Sequence, residues 1–76
     1  MALVRDFKRK EMGRNSLHKE IDATFSVFGD GDAKVLQIDT YGSETREMPG
    51  KKSQSIQLDR LGAERLLKIL RTEFSL

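Results

Sequence analysis

Residues 35–58, VLQIDTYGSETREMPGKKSQSIQL, constrain the fold more than any other stretch of this chain. Val35 to Tyr41 alternates apolar and polar side chains, the period of a strand with one face buried. A loop punctuated by Gly42, Ser43, Pro49 and Gly50 follows. Pro49-Gly50 suits the two central positions of a type II turn, where glycine takes the positive φ. A second alternating run then places Gln54, Ile56 and Leu58 on one side. Asp59 follows directly and is a good N-cap for a helix running to about residue 74. Strand, loop, strand and helix make one compact unit, and the remaining segments complete it.

The helix carries Ala63, Leu66, Leu67, Leu70 and Phe74 at i, i+3, i+4, i+7 and i+11, one apolar stripe widened by Leu61 and Ile69. Arg60, Glu64, Arg65, Lys68 and Arg71 take the wet side, with Glu64 and Lys68 spaced as an i,i+4 ion pair. Before this unit, residues 19–28 (KEIDATFSVF) alternate cleanly. Ile21, Ala23, Phe25 and Val27 point to the core face, Asp22, Thr24 and Ser26 to the other, and Phe28 falls on the polar side. Gly29-Asp30-Gly31-Asp32 marks a hairpin turn between this strand and the next. It is no EF-hand, because the further ligands and the glutamate at loop position 12 are missing. Residues 3–12 alternate weakly and suit a first, edge strand, with a polar tail from Lys8 to Met12 that also suits a helix or a frayed end. A turn follows at Gly13, Asn15 and Ser16. The predicted architecture is α+β: a four-stranded antiparallel meander followed by one C-terminal helix (ββββα), a single small domain over 1–76 with 1–18 as a basic N-terminal strand or arm.

A chain of 76 residues buries only about 60% of the surface its unfolded form exposes. Domains this small usually add disulfides, a metal or a partner subunit. Cysteine is absent, and one histidine with scattered carboxylates does not make a structural zinc site. Self-association remains. One helix cannot cover four strands, so apolar surface is left for a partner. The expectation is a homodimer with Leu67, Leu70 and Phe74 between protomers. No apolar run approaches the roughly 18 residues of a transmembrane span, and the N-terminus lacks the uncharged core of a secretory signal. The expected location is the cytoplasm.

The net charge of +2 is unevenly spread. Residues 1–20 hold six Lys/Arg against three Asp/Glu, whereas residues 21–40 hold Lys34 against Asp22, Asp30, Asp32 and Asp39. A basic arm beside an acidic hairpin points to an anionic partner or to a subunit contact. Unpaired nucleic acid is held by a basic groove with exposed aromatics, because phosphate charge and base π-faces are what every strand offers. Arg46, Lys51, Lys52 and the Arg9, Lys10, Arg14, Lys19 arm are the candidates for the first role, Phe28 and Tyr41 for the second. The competing reading makes the lysines an ordinary solvated surface and places the aromatics in a subunit contact. Tyr41-Gly42-Ser43 with Arg46 fits either an anion site or a turn satisfied by its own hydroxyls. His18 has no positioned nucleophile or acid partner, and Gly50-Lys51-Lys52-Ser53 lacks the first glycine of a phosphate-binding loop, since position 45 is Thr. No catalytic, metal-binding or cofactor-binding set emerges, and no enzymatic activity is expected.

Lys34-Val35-Leu36, Ile38-Asp39 and Tyr41, leading to Glu47-Met48-Pro49-Gly50-Lys51-Lys52 and then Ser55-Ile56 and Leu58 before a helix, resemble a known family. The pattern is similar to the single-stranded-DNA-binding domain of the positive cofactor four transcriptional coactivators and their small bacterial relatives, over roughly residues 21–70. The resemblance implies a dimeric ββββα protomer whose strands form a curved surface for unpaired nucleic acid, DNA in preference to RNA although the sequence leaves both open, and a role as a transcription or DNA-metabolism accessory factor. It implies phosphate contacts at Lys51 and Lys52 and base stacking at Phe28. A further family aromatic falls at Gly42, where Tyr41 is the nearest substitute. The family's basic hairpin is Gly29-Asp30-Gly31-Asp32 here, and its arginine after the Ile-Asp pair is replaced by Thr40 or its neighbour. The alternative function is a protein–protein interaction module using the exposed sheet and the acidic hairpin. A small enzyme acting on an anionic ligand is a third, without catalytic residues to support it.

Overall fold

The computed structural model of the chain describes residues 1–42 and 52–76. They form β1 (Ala2–Val4), β2 (Ala23–Phe28), a short 3-10 turn (Gly31–Ala33), β3 (Val35–Tyr41), β4 (Lys52–Leu58) and α1 (Arg60–Phe74). The architecture is α+β, one four-stranded sheet and a C-terminal helix, with strand order β1-β4-β3-β2.

The alternation read from the sequence is the observed register. Phe25 faces Ile38 and Val27 faces Leu36 across the antiparallel β2–β3 pair; Ile38 faces Ile56 and Leu36 faces Leu58 across the antiparallel β3–β4 pair. One sheet face therefore collects Ala23, Phe25, Val27, Leu36, Ile38, Ile56 and Leu58. The opposite face collects Thr24, Ser26, Phe28, Val35, Gln37, Asp39, Tyr41, Ser55 and Gln57. Between β2 and β3 the chain turns through Gly29 at φ +82° and Gly31 at φ +55°, closed by Ala33 N–H donating to the Asp30 carbonyl at 2.9 Å. At Gly29 a Cβ would also overlap the Ala33 carbonyl oxygen, so glycine is required there twice over.

The antiparallel meander is corrected at its first strand. β1 is only three residues long and lies parallel to β4, Ala2 opposite Ile56 and Val4 opposite Leu58, at the far edge from β2. A meander needs a tight turn from strand one to strand two, whereas residues 5–22 form no regular element and carry the chain from one sheet edge to the other. The expected edge strand over 3–12 thus ends at Val4. The second strand starts at Ala23, with one further rung where Tyr41 N–H donates to the Asp22 carbonyl at 3.2 Å.

Asp59 caps α1 as expected, its side chain accepting from Gly62 N–H at 2.9 Å, and Ser75 closes the helix in the left-handed conformation at φ 56°. The first turn packs against β1. A Cβ on Gly62 would overlap the Val4 carbonyl oxygen and lie 3.2 Å from its carbon. Glu64 pairs with Arg60 at 3.2 Å rather than with Lys68. Charge also holds the segment after β1 along the helix: Arg5 to the cap Asp59 at 3.0 Å, Asp6 to Arg65, and Arg9 to Glu73 at 2.9 Å.

Beyond its first turn the helix does not close over the sheet. Leu58 is the one fully buried apolar side chain among the described residues, while Phe25 is 76% and Phe74 69% exposed. Phe25 and Val27, assigned to the core face by their alternation, do lie on the apolar face but are uncovered within one chain. Among the described residues no helix is long and apolar enough to cross a membrane.

Candidate nucleic-acid interface

The polar sheet face is built around Asp39, which is almost completely buried although it lies on the side away from the helix. Ser55 sits directly opposite on β4 and donates its hydroxyl to Asp39 Oδ1. Gln37, two residues back on the same face, donates from Nε2 to both carboxylate oxygens at 3.1 and 3.2 Å. Lys52 Nζ lies 3.4 Å from Oδ2. Cross-strand from Gln37, Gln57 donates from Nε2 to Gln37 Oε1 at 2.9 Å. The Ser55 bond, followed by the Gln37 and Lys52 interactions, holds the Asp39 carboxyl below its ordinary value against the opposing effect of burial. The carboxylate is thus charged, satisfied and fixed.

Pairing shifts register at the end of this ladder, where Thr40 faces Gln54 but Tyr41 faces Lys52. The irregularity leaves Ser53 unopposed and lets Lys52 join the Asp39 face. Tyr41 lies beside it, its hydroxyl 2.9 Å from Thr24 Oγ1. Phe28, half exposed, stands on the same face at the other end of β3, opposite Val35. Six residues of strand separate the Phe28 and Tyr41 positions, about 20 Å at ~3.4 Å per residue. Beside the ladder, towards β1, lies a cavity of about 360 Å³ with Met1, Ala2 and Leu3 on one side and Gln37, Lys52, Ser55 and Gln57 on the other.

The structure therefore brings Phe28, Tyr41 and Lys52 onto one face and ties Arg9 of the basic arm to the helix instead. Arg9 is held on the helix side, with Glu11 at 2.6 Å and Glu73 at 2.9 Å raising its pKa in that order. Lys10, Arg14 and Lys19 are exposed on the segment without regular structure. Arg46 and Lys51 lie outside the described residues, as do the Pro49-Gly50 turn and the Ser43 end of the possible anion site. Leu67 and Phe74 are more than half exposed, and Leu70 36%. Two features escaped the sequence reading. Gly62 looks like an ordinary helix residue until β1 is set against it. The Gln37–Asp39–Ser55–Gln57 ladder was legible in part, as polar residues two apart in successive strands, but only the register makes them neighbours. No protein-family model matches the chain, and searches of curated proteins and of solved structures returned no match either.

Proposed function

We propose that this chain is a non-enzymatic single-stranded nucleic-acid-binding protein acting as a homodimer. The observation that carries the reading is the polar sheet face, which no helix or strand among the described residues covers, with Phe28 and Tyr41 at its two ends and Lys52 beside Tyr41. Two aromatics about 20 Å apart on an extended hydrogen-bonding surface suit an unpaired strand, whose bases stack while its phosphates meet cations. A duplex offers no free base faces to such a surface. The likeness to the positive cofactor four coactivators supports the same reading and suggests DNA and a role in transcription or DNA metabolism.

The dimer follows from the other face. Phe25, Val27, Ile56, Leu67, Leu70 and Phe74 are 36–76% exposed within one chain. The exposed parts of two phenylalanines and four aliphatic side chains supply the apolar centre of an interface, not its whole area, which is ~800 Å² per partner at the standard size. The occupant that matches an apolar sheet and an apolar helix stripe is a second copy offering the same pair. A partner protein using the exposed sheet and the acidic hairpin is the alternative; it would meet a cleft of about 440 Å³ lined by Val27, Leu36, Leu58 and Ala63 and by charges of both signs, Asp32 and Asp59 with Lys34 and Arg60.

Binding of an unpaired oligonucleotide and of its duplex, followed by anisotropy at several salt concentrations, tests the reading. Unpaired strands are expected to bind more tightly, with a steep salt dependence from counterion release. Lys51→Ala with Lys52→Ala reduces the log–log slope by about 0.7 per lost contact. Phe28→Ala costs roughly 1–3 kcal/mol at an unchanged slope, because stacking releases no counterions. Wild-type protein that binds no unpaired strand at low salt removes the proposal and leaves the protein-interaction reading.

A further inference from the structure

The Gln37–Gln57 ladder has a direction that charge imposes. The Asp39 carboxylate only accepts hydrogen bonds, so the Gln37 NH₂ must turn towards it, as observed. Gln37 Oε1 then faces β4 and accepts from the Gln57 NH₂. One N–H of Gln57 is thereby used, which leaves its second N–H and its Oε1 on the same amide. Neither glutamine serves the apolar core, since both stand on the sheet face opposite Leu36, Ile38, Ile56 and Leu58. Ordering two long amides costs side-chain entropy, and the ladder fixes them beside a cavity with Met1 and Leu3 at its apolar side.

We propose that Gln57, oriented through Gln37 by Asp39, reads the edge of an adenine base seated in the cavity between β1 and the ladder. An amide offering an acceptor beside a donor is the side-chain group that pairs bidentately with adenine, Oε1 taking the N6 amino proton and the N–H meeting a ring nitrogen. In an unpaired strand adenine presents that arrangement on two edges, N6 with N7 and N6 with N1. Adenine meets Gln57 Oε1 with its exocyclic amino group, the one group that a purine lacking it does not offer. Leu3, opposite Gln57 on β1, gives the ring an apolar neighbour. Asp39 and Gln37 are positioning residues here, and Gln57 makes the contact.

This inference rests on the nucleic-acid reading above and fails separately from it. The probes are three unpaired strands: oligothymidine, the same strand with interspersed deoxyadenosine, and one carrying deoxypurine riboside, which lacks only the 6-amino group. Wild type is expected to bind the adenine strand roughly 5- to 150-fold more tightly than oligothymidine, the range for one bidentate base contact. The deoxypurine strand should lose most of that gain, since it stacks comparably and lacks only the proton that Oε1 accepts. Gln57→Leu should bind the adenine and deoxypurine strands alike. Asp39→Asn, which frees the ladder to reverse, should narrow the same ratio. Equal wild-type affinity for the adenine and deoxypurine strands overturns the inference and leaves single-strand binding standing, as does a folded Gln57→Leu that keeps the discrimination. If Gln57→Leu does not fold, the wild-type comparison alone decides. Binding of none of the three strands overturns the proposed function itself.

Discussion

Asp39 and Gly62 show how one residue can be fixed by neighbours that are distant in sequence. Asp39 gains Ser55, Gln37 and Lys52 as partners, and its carboxyl titrates below the ordinary value. The folded state then binds that proton less readily than the unfolded chain. Its stabilising contribution is complete above the unfolded pKa of about 3.9 and disappears as pH falls through the lower folded value. Asp6, lowered chiefly by Arg65 and then by the Phe7 N–H, has the same sign. Thermal melts at descending pH should therefore show acid destabilisation that Asp39→Asn reduces without abolishing. An Asp39→Asn profile as steep as wild type would place the dependence elsewhere. For Gly62 two effects compete. Alanine is favoured over glycine in a helix interior by about 1 kcal/mol, but the added Cβ meets the Val4 carbonyl backbone, and overpacking of this kind costs typically 1–3 kcal/mol. Because the obstacle is backbone, overlap should win, so Gly62→Ala lowers the urea midpoint. A raised midpoint would mean that β1 does not hold the helix start. Asp39's place on the polar strand face was legible from its alternation phase, but neither its partners nor the need for glycine at 62 was.

Among the elements, α1 was the most legible. Its cap, stripe and end are local signals: Asp59 accepting from Gly62 N–H, apolar side chains three and four apart, and Phe74 as the last helical residue. Asp59→Ala should cost about 0.5–2 kcal/mol and reduce helicity, readable by circular dichroism and denaturant melts. An unchanged melt would show that the packing of Gly62 on Val4 suffices to start the helix. β3 and β4 were legible from alternation to within a residue at each end. β1 was not. Three residues are too few to show a period, and a parallel neighbour leaves no turn signature in the sequence. Charge spacing did not reveal where the arm goes either, since Arg5, Asp6 and Arg9 find Asp59, Arg65 and Glu73 only after the helix is in place.

For the whole molecule, the deciding feature is the separation of two sheet faces, neither closed over by a helix or strand among the described residues. The helix meets the sheet at its first turn and leaves Phe25 and Phe74 largely in solvent. Among the described residues, a single chain of 8.7 kDa thus leaves most apolar sheet and helix side chains unburied. Sedimentation at micromolar concentration should give twice that mass. Leu67→Asp should shift the species towards monomer and lower its melting temperature, because a charge in an apolar contact loses solvation without gaining a partner. A wild-type monomer at that concentration would remove the second copy as the occupant of this face. On the other face, oligonucleotide binding is expected to persist wherever the dimer does.

The sequence by itself determined the strand faces, the Gly29–Asp32 turn and the helix with its cap, because each is encoded by neighbours within a few residues. Period two sorts side chains between faces without reference to a partner, and a cap needs only the next turn of chain. Tertiary structure alone decided that β1 runs parallel beside β4, that Arg5, Asp6 and Arg9 reach α1 and its cap, and that Gln37, Asp39, Ser55 and Gln57 form one ladder. Those relations join residues up to 64 positions apart, as in Arg9 to Glu73. They depend on strand order and register, which the energy of the assembled sheet selects and no local pattern records.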